Sequence, residues 1–289
     1  MTDGATSLRI ATVLREAGGR LKAAGCDTPR LDAVLLLAQV LGITPDRVRL
    51  SPDQVLSAEA AADFDALLVR REKREPVSHI LGRREFWGLD FAVSPAVLDP
   101  RPDSETLVQA VLDAVPDRQA ALRLVDFGTG SGCLLLALLH ELPKASGLGV
   151  DASAPALEMA RGNAAALGLA GRTDFVRGDW GHGLAGPFDI LISNPPYIET
   201  AAIAGLAEEV RRFEPLSALD GGADGLDCYR QLIPHMLRLA ATGALLALEV
   251  GQGQADAVAA LLAAAGCAEI AQKHDLGGVA RVVQARNTA

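Results

Sequence analysis

The sequence predicts an α/β fold: a mostly parallel seven-stranded sheet, preceded by a small N-terminal helical bundle and a β-hairpin linker. From about Leu107 onward, short apolar runs typical of buried strands alternate with longer runs of helical periodicity. Before about residue 74 the apolar spacing is helical, and around Gly88 aromatic residues and valines alternate as in a hairpin. Strands that alternate with helices form a parallel sheet with helices on both faces.

Length and composition fit a folded protein of two domains. The chain has 289 residues, of which 49% are hydrophobic and 22% are charged. Its four cysteines form no CxxC pair and its five histidines share no ligand spacing, so neither a disulfide framework nor a metal site is predicted. No signal-like N-terminus is evident, and no apolar run approaches the ~18 residues that span a bilayer. We expect a cytoplasmic protein that does not associate with membranes.

The net charge of −9 is unevenly distributed. Residues 1–88 hold 13 Lys and Arg against 12 Asp and Glu, so the rest of the chain carries the acidic excess. Because phosphate contacts dominate nucleic-acid affinity, an acidic main body argues against a protein that wraps duplex nucleic acid. A small basic docking patch remains compatible with this balance.

The N-terminal part reads as amphipathic helices. The segment "TPRLDAVLLLAQVLG" has a potential N-cap at Thr28, Pro29 at the first helical position and a stop at Gly42. The segment "TSLRIATVLREAGGRLKAAG" precedes it with a similar pattern, and another helix opens at Ser57. The predicted domains are a helical domain at 1–74, a hairpin linker at 75–98 and an α/β domain at 99–289.

Seven apolar runs predict the strands of the sheet. In chain order they are "LRLVDF", "SGLGVD", "TDFVRGD", "FDILISN", "GALLALEVG", "AEIAQKHD" and "RVVQAR". Helical segments separate most of them, among them "GCLLLALLHEL", "APALEMARGNAAALG" and "ADAVAALLAAAG". No helical segment separates the last two runs, so an antiparallel element is expected at the end of the chain.

Ligands in such sheets bind beyond the carboxyl ends of the strands, and the first strand ends in "VDFGTGSG". Its alternating glycines let the backbone turn tightly and let a ligand approach closely. A dinucleotide-binding GxGxxG pattern fails because Cys133 stands at its third glycine. The loop instead resembles the first motif of S-adenosylmethionine-dependent methyltransferases. Its candidate cofactor-binding residues are Asp126, Gly128, Thr129, Gly130, Ser131 and Gly132.

The next two strands also end in polar residues. Asp151 follows the glycine loop by about twenty residues, where a carboxylate can accept both hydroxyls of a ribose. Asp179 can reach an adenine amino group, and Trp180 can border the ring. Each residue alone also fits a helix cap or a solvated loop, but the conjunction at three strand ends favours a nucleoside-containing cofactor.

The fourth strand ends in "NPPY", which is Asn194, Pro195, Pro196 and Tyr197. The prolines must stop the strand because they cannot donate hydrogen bonds to a neighbouring strand. The Asn194 amide and the Pro195 carbonyl offer two acceptors at a rigid spacing, which suits an NH₂ group, and Tyr197 adds a face for a planar group. All four residues are candidates for substrate binding, Asn194, Pro195 and Tyr197 are the candidate catalytic residues, and Asn194 is also expected to border the cofactor. A structural alternative is a strand-ending turn with a core tyrosine.

These motifs together resemble the peptide-chain release factor glutamine methyltransferases, the HemK-like family. The resemblance includes "PRLDAVLLLAQVLG", "REPVSHILGRREFWGLDFAV", "PRPDSE" and "FEPLSALDGGADGLDCYRQLI", and it runs from about residue 30 to residue 262. The chain departs from the family's usual pattern at Asp99, at Ser104, where threonine is commoner, and at Cys133. The resemblance implies a class I methyltransferase domain with S-adenosylmethionine as cofactor.

The resemblance also implies the substrate: the glutamine of the Gly-Gly-Gln motif in release factors, bound at Asn194 to Tyr197 and methylated on its side-chain amide nitrogen. The helical domain would help to hold the protein substrate, and Arg101 and Glu105 would border the methionine end of the cofactor or form an interdomain ion pair. We expect a monomer without stable nucleic-acid binding.

Three other functions are weighed against this one. A nucleic-acid base methyltransferase shares the NPPY corner but would carry a basic added domain or a target-recognition insertion, and neither is evident. A binding protein that keeps the cofactor cavity without catalysis is disfavoured by the intact Asn194 and Tyr197. An NAD-dependent oxidoreductase is disfavoured by the glycine spacing.

Overall fold

The computed structural model describes residues 8–288 and divides them into two compact units. The first comprises the described residues up to Gly82 together with Glu208–Phe213, and the second comprises Arg83–Ala207 and Glu214 onward. Residues 1–7, where the predicted helical domain begins, lie outside the described part, as does residue 289. The predicted boundaries at residues 74 and 98 stay predictions.

Helices and strands are numbered here in chain order. The α-helices of the described residues are α1 (Ile10–Ala23), α2 (Pro29–Leu41), α3 (Pro45–Leu50), α4 (Ala58–Glu72), α5 (Val77–Leu81), α6 (Glu105–Ala114), α7 (Cys133–Glu141), α8 (Ala154–Ala166), α9 (Glu208–Phe213), α10 (Asp227–Leu239) and α11 (Ala255–Ala264). The strands are β1 (Arg83–Phe86), β2 (Leu89–Ala92), β3 (Arg123–Phe127), β4 (Ser146–Asp151), β5 (Thr173–Arg177), β6 (Phe188–Ser193), β7 (Ala240–Glu249), β8 (Ala268–His274) and β9 (Ala280–Arg286).

Local signals place the helices of the first unit. Pro29 lies in the first turn of α2, and the helix ends at Gly42 in the left-handed conformation, with φ of 62°. Ser57 caps α4 by accepting a hydrogen bond from the backbone N–H three residues on. Thr28 precedes α2 as predicted, but its hydroxyl donates to Asp32 (2.6 Å) and makes no hydrogen bond to the helix backbone.

The first unit has its own apolar core, to which α1, α2 and α4 contribute. An ion network lies beside this core: Arg71 donates to Asp32 (2.8 Å) and to Glu209 of α9 (3.0 Å). Arg74 also pairs with Glu209, at 2.6 Å. Because Asp32 and Arg71 are both buried, each charge depends on its partner to offset the loss of hydration.

The predicted hairpin is confirmed around Gly88. Strands β1 and β2 pair antiparallel, with Phe86 opposite Leu89. Trp87 and Gly88 form the turn, and both have positive φ, 55° and 70°, as a two-residue hairpin turn requires. The short helix α5 precedes the hairpin and was not predicted from the sequence.

The seven-stranded sheet has the strand order β5-β4-β3-β6-β7-β9-β8. The first five strands in that order run parallel, whereas β9 pairs antiparallel with both β7 and β8. The mostly parallel sheet and its antiparallel end are therefore confirmed. The side on which successive strands are added to the sheet changes at β3, because β4 lies on one side of it and β6 lies on the other. Such a switch point opens a crevice for ligands at the carboxyl ends of the strands.

Apolar residues cover both faces of this sheet. Leu124 belongs to the core shared with α6, α7 and α8, whereas the next residue, Val125, belongs to the core shared with α10 and α11. Alternate residues of a strand point to opposite faces, so a strand buried on both sides reads as a continuous apolar run. Continuous runs are what identified these strands in the sequence.

Helix α10 was not predicted. Its segment "DCYRQLIPHMLRL" contains Pro234, a residue that usually ends or kinks a helix. The signal in its favour was a stripe of apolar residues at helical spacing, which the structure buries: Tyr229, Leu232, Ile233, Met236 and Leu239.

Candidate active site

A cavity of about 260 Å³ lies at the carboxyl ends of the parallel strands. Residues that follow β3, β4, β5 and β6 line it, so the topological switch point brings together the four strand ends singled out in the sequence. The predicted residues on its wall are Gly128, Thr129, Gly130, Ser131, Asp151, Asp179, Trp180, Asn194 and Pro196. In the part of the chain that the structure describes, this wall leaves out Asp126, Gly132, Pro195 and Tyr197, which the sequence also predicts for the site.

The glycine loop after β3 forms one side of the cavity. Gly128 and Gly130 have φ of +73° and +55°, and no heavy atom lies within 4 Å of where a Cβ would stand on either residue. A side chain at either position would strain the backbone and extend into open space. Gly132 serves packing instead, because its Cβ position lies 3.1 Å from the Leu136 side chain.

Asp151, the last residue of β4, is tied to the glycine loop. Its Oδ2 accepts a hydrogen bond from the N–H of Gly130 (2.9 Å), and its Oδ1 accepts from the N–H of Ser153 (2.8 Å). Each carboxylate oxygen has further lone pairs, so the group can still accept from hydroxyls of a ligand. The carboxylate therefore holds the loop and faces the cavity as an acceptor.

Asp126 supports the loop from beneath. It is buried, its Oδ2 accepts from the Thr129 hydroxyl (2.7 Å), and its Oδ1 has no hydrogen-bond partner in the described structure. Burial raises the pKa of this carboxyl to about 7, with the Thr129 hydrogen bond opposing and the charge of Asp151 adding to the shift. The sequence placed Asp126 among the cofactor-binding residues; the structure shows it one step behind the wall.

Asp179 and Trp180, after β5, lie on the cavity wall. Trp180 has φ of +50°, a sparsely populated conformation for a residue with a Cβ. Its indole N–H donates to the side chain of Gln231 (3.3 Å) in α10. That contact and the apolar core under Trp180 fix the ring at this end of the cavity.

The corner after β6 is partly on the wall. Asn194 lines the cavity, and its Nδ2 donates to the Ser104 hydroxyl (3.3 Å). Pro195 is buried behind the wall, and Tyr197 packs against the core shared with α10. Burial raises the pKa of Tyr197 to about 12, so its phenol stays protonated at neutral pH.

A clamp that sequence reasoning missed holds this corner. Gln254 donates from Nε2 to the carbonyl oxygen of Tyr197 (2.9 Å) and accepts at Oε1 from the N–H of Gly251 (3.0 Å). A Cβ on Gly221 would stand 2.7 Å from the Tyr197 Cα, and one on Gly225 would stand 2.4 Å from the Tyr197 oxygen. The signal for this close approach was the glycine-rich "LDGGADG".

Arg101 lies on the cavity wall and pairs with Glu214. Its Nη2 is 2.7 Å from both carboxylate oxygens, yet burial, to which the charge of Asp99 adds, raises the pKa of Glu214 to about 7. Both partners belong to the second unit. Glu105 does not line the cavity, contrary to one expectation for it, and accepts instead from the backbone N–H of Trp87 (2.9 Å).

Two protein families match the chain. The family described as "PrmC N-terminal domain" matches residues 12–82, and the family described as "Methyltransferase small domain" matches residues 100–210. The first match covers the described helices of the first unit up to α5. The second covers β3 to β6 and with them the four strand ends of the cavity.

Relatives that match nearly the whole chain are named release factor glutamine methyltransferases. The chain is 49% identical over 284 residues to a release factor glutamine methyltransferase of Rhodospirillum rubrum, covering 98% of this chain and 87% of the relative. It is 47% identical to the enzyme of that name from Caulobacter vibrioides, covering 96% of each chain. Among solved structures, the hMettl16 catalytic domain in complex with MAT2A 3'UTR hairpin 6 has a TM-score of 0.58 at 16% identity, covering 88% of this chain and 93% of that one, which shows the shared fold alone. The chain belongs to the release factor glutamine methyltransferase family.

Proposed function

We propose that this protein transfers a methyl group from S-adenosylmethionine to the side-chain amide nitrogen of the glutamine in the Gly-Gly-Gln motif of peptide-chain release factors, and so modulates translation termination. The observation that carries the proposal is the position of Asn194. Asn194 lines the same cavity as the glycine loop. An acceptor for an amide NH₂ and a site for a methyl donor are therefore within one cavity.

The fold and the family make S-adenosylmethionine the cofactor, and the cavity suits it. Gly128 and Gly130 leave open space that a Cβ would fill, as close approach of a ligand to backbone requires. We propose that Asp151 accepts the ribose hydroxyls and that Asp179 and Trp180 border the adenine. When bound, S-adenosylmethionine supplies an electrophilic methyl group.

The residues of this chain hold the amide nitrogen that receives the methyl group. An amide nitrogen is a poor nucleophile because its lone pair is delocalised into the carbonyl group. A hydrogen bond from one N–H group to Asn194 Oδ1 would favour positive charge building on that nitrogen, and the carbonyl of Pro195, directly behind the cavity wall, is the second acceptor that we propose. A fixed orientation supplies much of the remaining acceleration. The methylated amide then loses one proton, which water can take.

We also propose how the protein meets its substrate. The helical domain, predicted at residues 1–74, docks the release factor, which fits its more basic charge balance. In this proposal the protein acts as a monomer in the cytoplasm and does not bind nucleic acid stably. No helix in the described residues is long and apolar enough to span a membrane.

A transfer assay with labelled S-adenosylmethionine tests the proposal. The substrates are a purified release factor and its variant with alanine in place of the Gly-Gly-Gln glutamine. We expect label only on the factor with the glutamine intact, and none with Asn194→Ala enzyme. Label on DNA or RNA and none on the release factor would favour a nucleic-acid methyltransferase that uses the same corner.

A further inference from the structure

A buried carboxyl group that the proposed function does not use lies beside the NPPY corner. Glu249 is the last residue of β7, is 2% exposed, and has no hydrogen-bond partner in the described structure at its buried Oε2. Strands β6 and β7 are parallel neighbours, with Ser193 opposite Leu248. The next residues, Asn194 and Glu249, therefore lie side by side at the carboxyl ends of the two strands.

Ser104 completes a triangle with these two residues. The Asn194 amide donates from Nδ2 to the Ser104 hydroxyl (3.3 Å), and Ser104 is 2% exposed. Ser104 and Asn194 both favour the ionised form of Glu249 and so oppose the rise that burial causes in its pKa. The three side chains thus form a polar cluster in which Ser104 and Asn194 line the cavity and the buried Glu249 lies behind them.

This cluster decides which end of the Asn194 amide meets the substrate. An ionised carboxylate only accepts hydrogen bonds, so it attracts the NH₂ end of the amide. With the NH₂ group facing Glu249 and Ser104, the opposite end of the amide, Oδ1, is left for the cavity. A protonated Glu249 would donate instead and would favour the flipped amide. The flipped amide would present a donor to the NH₂ group of the substrate.

We propose that Glu249 is a positioning residue: in its ionised form, and together with Ser104, it orients the Asn194 amide so that Oδ1 accepts from the glutamine amide of the substrate. This inference rests on the proposed function and deepens it. It assigns to Ser104, which stands where the family more commonly has threonine, the role of a hydroxyl shared by the two partners.

The ionisation of Glu249 changes in the neutral range. Burial raises the pKa of this carboxyl to about 7, against the hydrogen bond from Ser104 and the charge of Arg281. Arg281 is itself paired with Asp103 (2.7 Å), which limits its influence. The charged and titratable groups around Glu249 are Asp103 before α6, Cys133 of α7, Tyr197 of the corner, Tyr229 of α10 and Arg281 of β9. Both tyrosines and Cys133 have raised pKa values and stay neutral there.

The way in which stability depends on pH distinguishes a positioning role of Glu249 from a purely structural one. The raised pKa means that protonated Glu249 stabilises the fold fully below its ordinary pKa and that this stabilisation is lost as the pH rises through about 7. The ionised form needed for activity is thus the less stable one. Replacing the carboxylate by a neutral isostere should therefore lower activity without lowering stability at high pH.

Glu249→Gln tests the inference, with Tyr229→Phe as a matched control. The control removes the hydrogen bond from Tyr229 to the backbone oxygen of Glu249 (2.8 Å) and leaves the carboxyl in place. For Glu249→Gln we expect kcat/KM for the release factor to fall about 10- to 100-fold at about pH 8, the cost of a charged hydrogen bond. The affinity for a Gly-Gly-Gln peptide, measured by calorimetry with S-adenosylhomocysteine present, should fall as well. The rise of kcat/KM between about pH 6 and about pH 8 should become shallower.

Two further results are expected of these variants. Glu249→Gln should be at least as stable as wild type to urea at about pH 8 and should bind S-adenosylhomocysteine as wild type does. Tyr229→Phe should lose stability but keep the wild-type pH profile. If Glu249→Gln does not fold, Ser104→Ala tests the same triangle and should lower kcat/KM about 3- to 10-fold.

The inference is overturned if wild type methylates the release factor and a folded Glu249→Gln enzyme keeps its rate, its pH profile and its peptide affinity. Wild-type rates in Ser104→Ala would overturn it where Glu249→Gln does not fold. A wild-type enzyme that transfers no methyl group to the release factor would overturn the proposed function, and the inference with it.

Discussion

Gln254 donates a hydrogen bond of 2.9 Å to the carbonyl oxygen of Tyr197, and so joins the turn after β7 to the corner after β6. The same side chain accepts from the N–H of Gly251 (3.0 Å), which fixes its orientation. A corner of two prolines is stiff in itself but still needs an anchor to the sheet. Gln254 supplies that anchor from a neighbouring strand end.

Replacing Gln254 should therefore misplace the corner. In Gln254→Glu the carboxylate cannot donate to the Tyr197 carbonyl, so we expect kcat to fall about tenfold, the effect of one lost hydrogen bond at a positioned site. Affinity for S-adenosylhomocysteine should change little, because Gln254 does not line the cavity. Steady-state rates and calorimetry check this. Unchanged kcat in Gln254→Glu would show that the anchor is dispensable.

The glycine loop gives a prediction about cofactor affinity. Gly130→Ala should lower stability by about 1 kcal/mol, the cost of a left-handed conformation for a residue with a Cβ. It should also weaken S-adenosylhomocysteine binding at least about tenfold, because close backbone approach is lost. Gly168→Ala is the matched control: it has φ of +71° and open space but lies at the end of α8, away from the cavity wall. The control should lose stability and keep its affinity; equal affinities in the two variants would contradict the loop's role.

Asp126 gives a prediction about pH. Burial raises its pKa to about 7, so the fold is stabilised by the protonated form below the ordinary pKa and loses that stabilisation as the pH rises through about 7. Asp126→Asn keeps an acceptor for Thr129 and removes the charge. We expect the variant to gain on the order of 2 kcal/mol over wild type at about pH 8 and less than half of that at about pH 5. Urea denaturation at both pH values measures this.

An exposed aspartate provides the matched control for the stability gain expected of Asp126→Asn. Asp224 is exposed, and its hydrogen bond with Arg230 lowers its pKa to about 2, so Asp224→Asn should gain no stability at either pH. A gain at the higher pH in both variants would show that net charge, and not the burial of Asp126, governs the effect.

The buried ion network of the helical unit gives a prediction about stability. Arg71→Met would leave Asp32, which is 3% exposed, without its charged partner at 2.8 Å. Breaking a buried pair from one side costs about 3 to 5 kcal/mol. Arg49 pairs with Asp46 at 2.8 Å on the surface, and Arg49→Ala should change stability by less than about 1 kcal/mol. Similar losses in the two variants by thermal denaturation would refute the distinction.

Much of the cavity could be predicted from the sequence because its residues directly follow apolar strands. Gly128, Asp151, Trp180 and Asn194 each stand at a strand end, and parallel strands bring their carboxyl ends to one edge of a sheet. The continuous apolar runs of the buried strands and the apolar stripes of most helices could also be recognised in the sequence. Pro234 concealed α10, because a proline in a helix interior is uncommon.

The supporting residues could not be predicted in the same way. Gln254 and Glu249 act on the corner only because β7 lies next to β6. No local sequence pattern specifies which strands are neighbours in a sheet. Ser104 reaches Asn194 from a turn ninety positions earlier in the chain. Asp126 lies behind the cavity wall because its strand is buried on both faces. Its carboxylate accepts a hydrogen bond from the Thr129 hydroxyl there.

The measurement that tests the proposed function most directly is the position of the methyl group in the product. A release factor incubated with the enzyme and S-adenosylmethionine is digested, and the methylated peptide is sequenced by tandem mass spectrometry. We predict a single methyl group on the side-chain amide of the Gly-Gly-Gln glutamine, absent with Asn194→Ala enzyme. A methyl group on another residue, or undiminished methylation by Asn194→Ala, would contradict the assignment of the reaction to this corner.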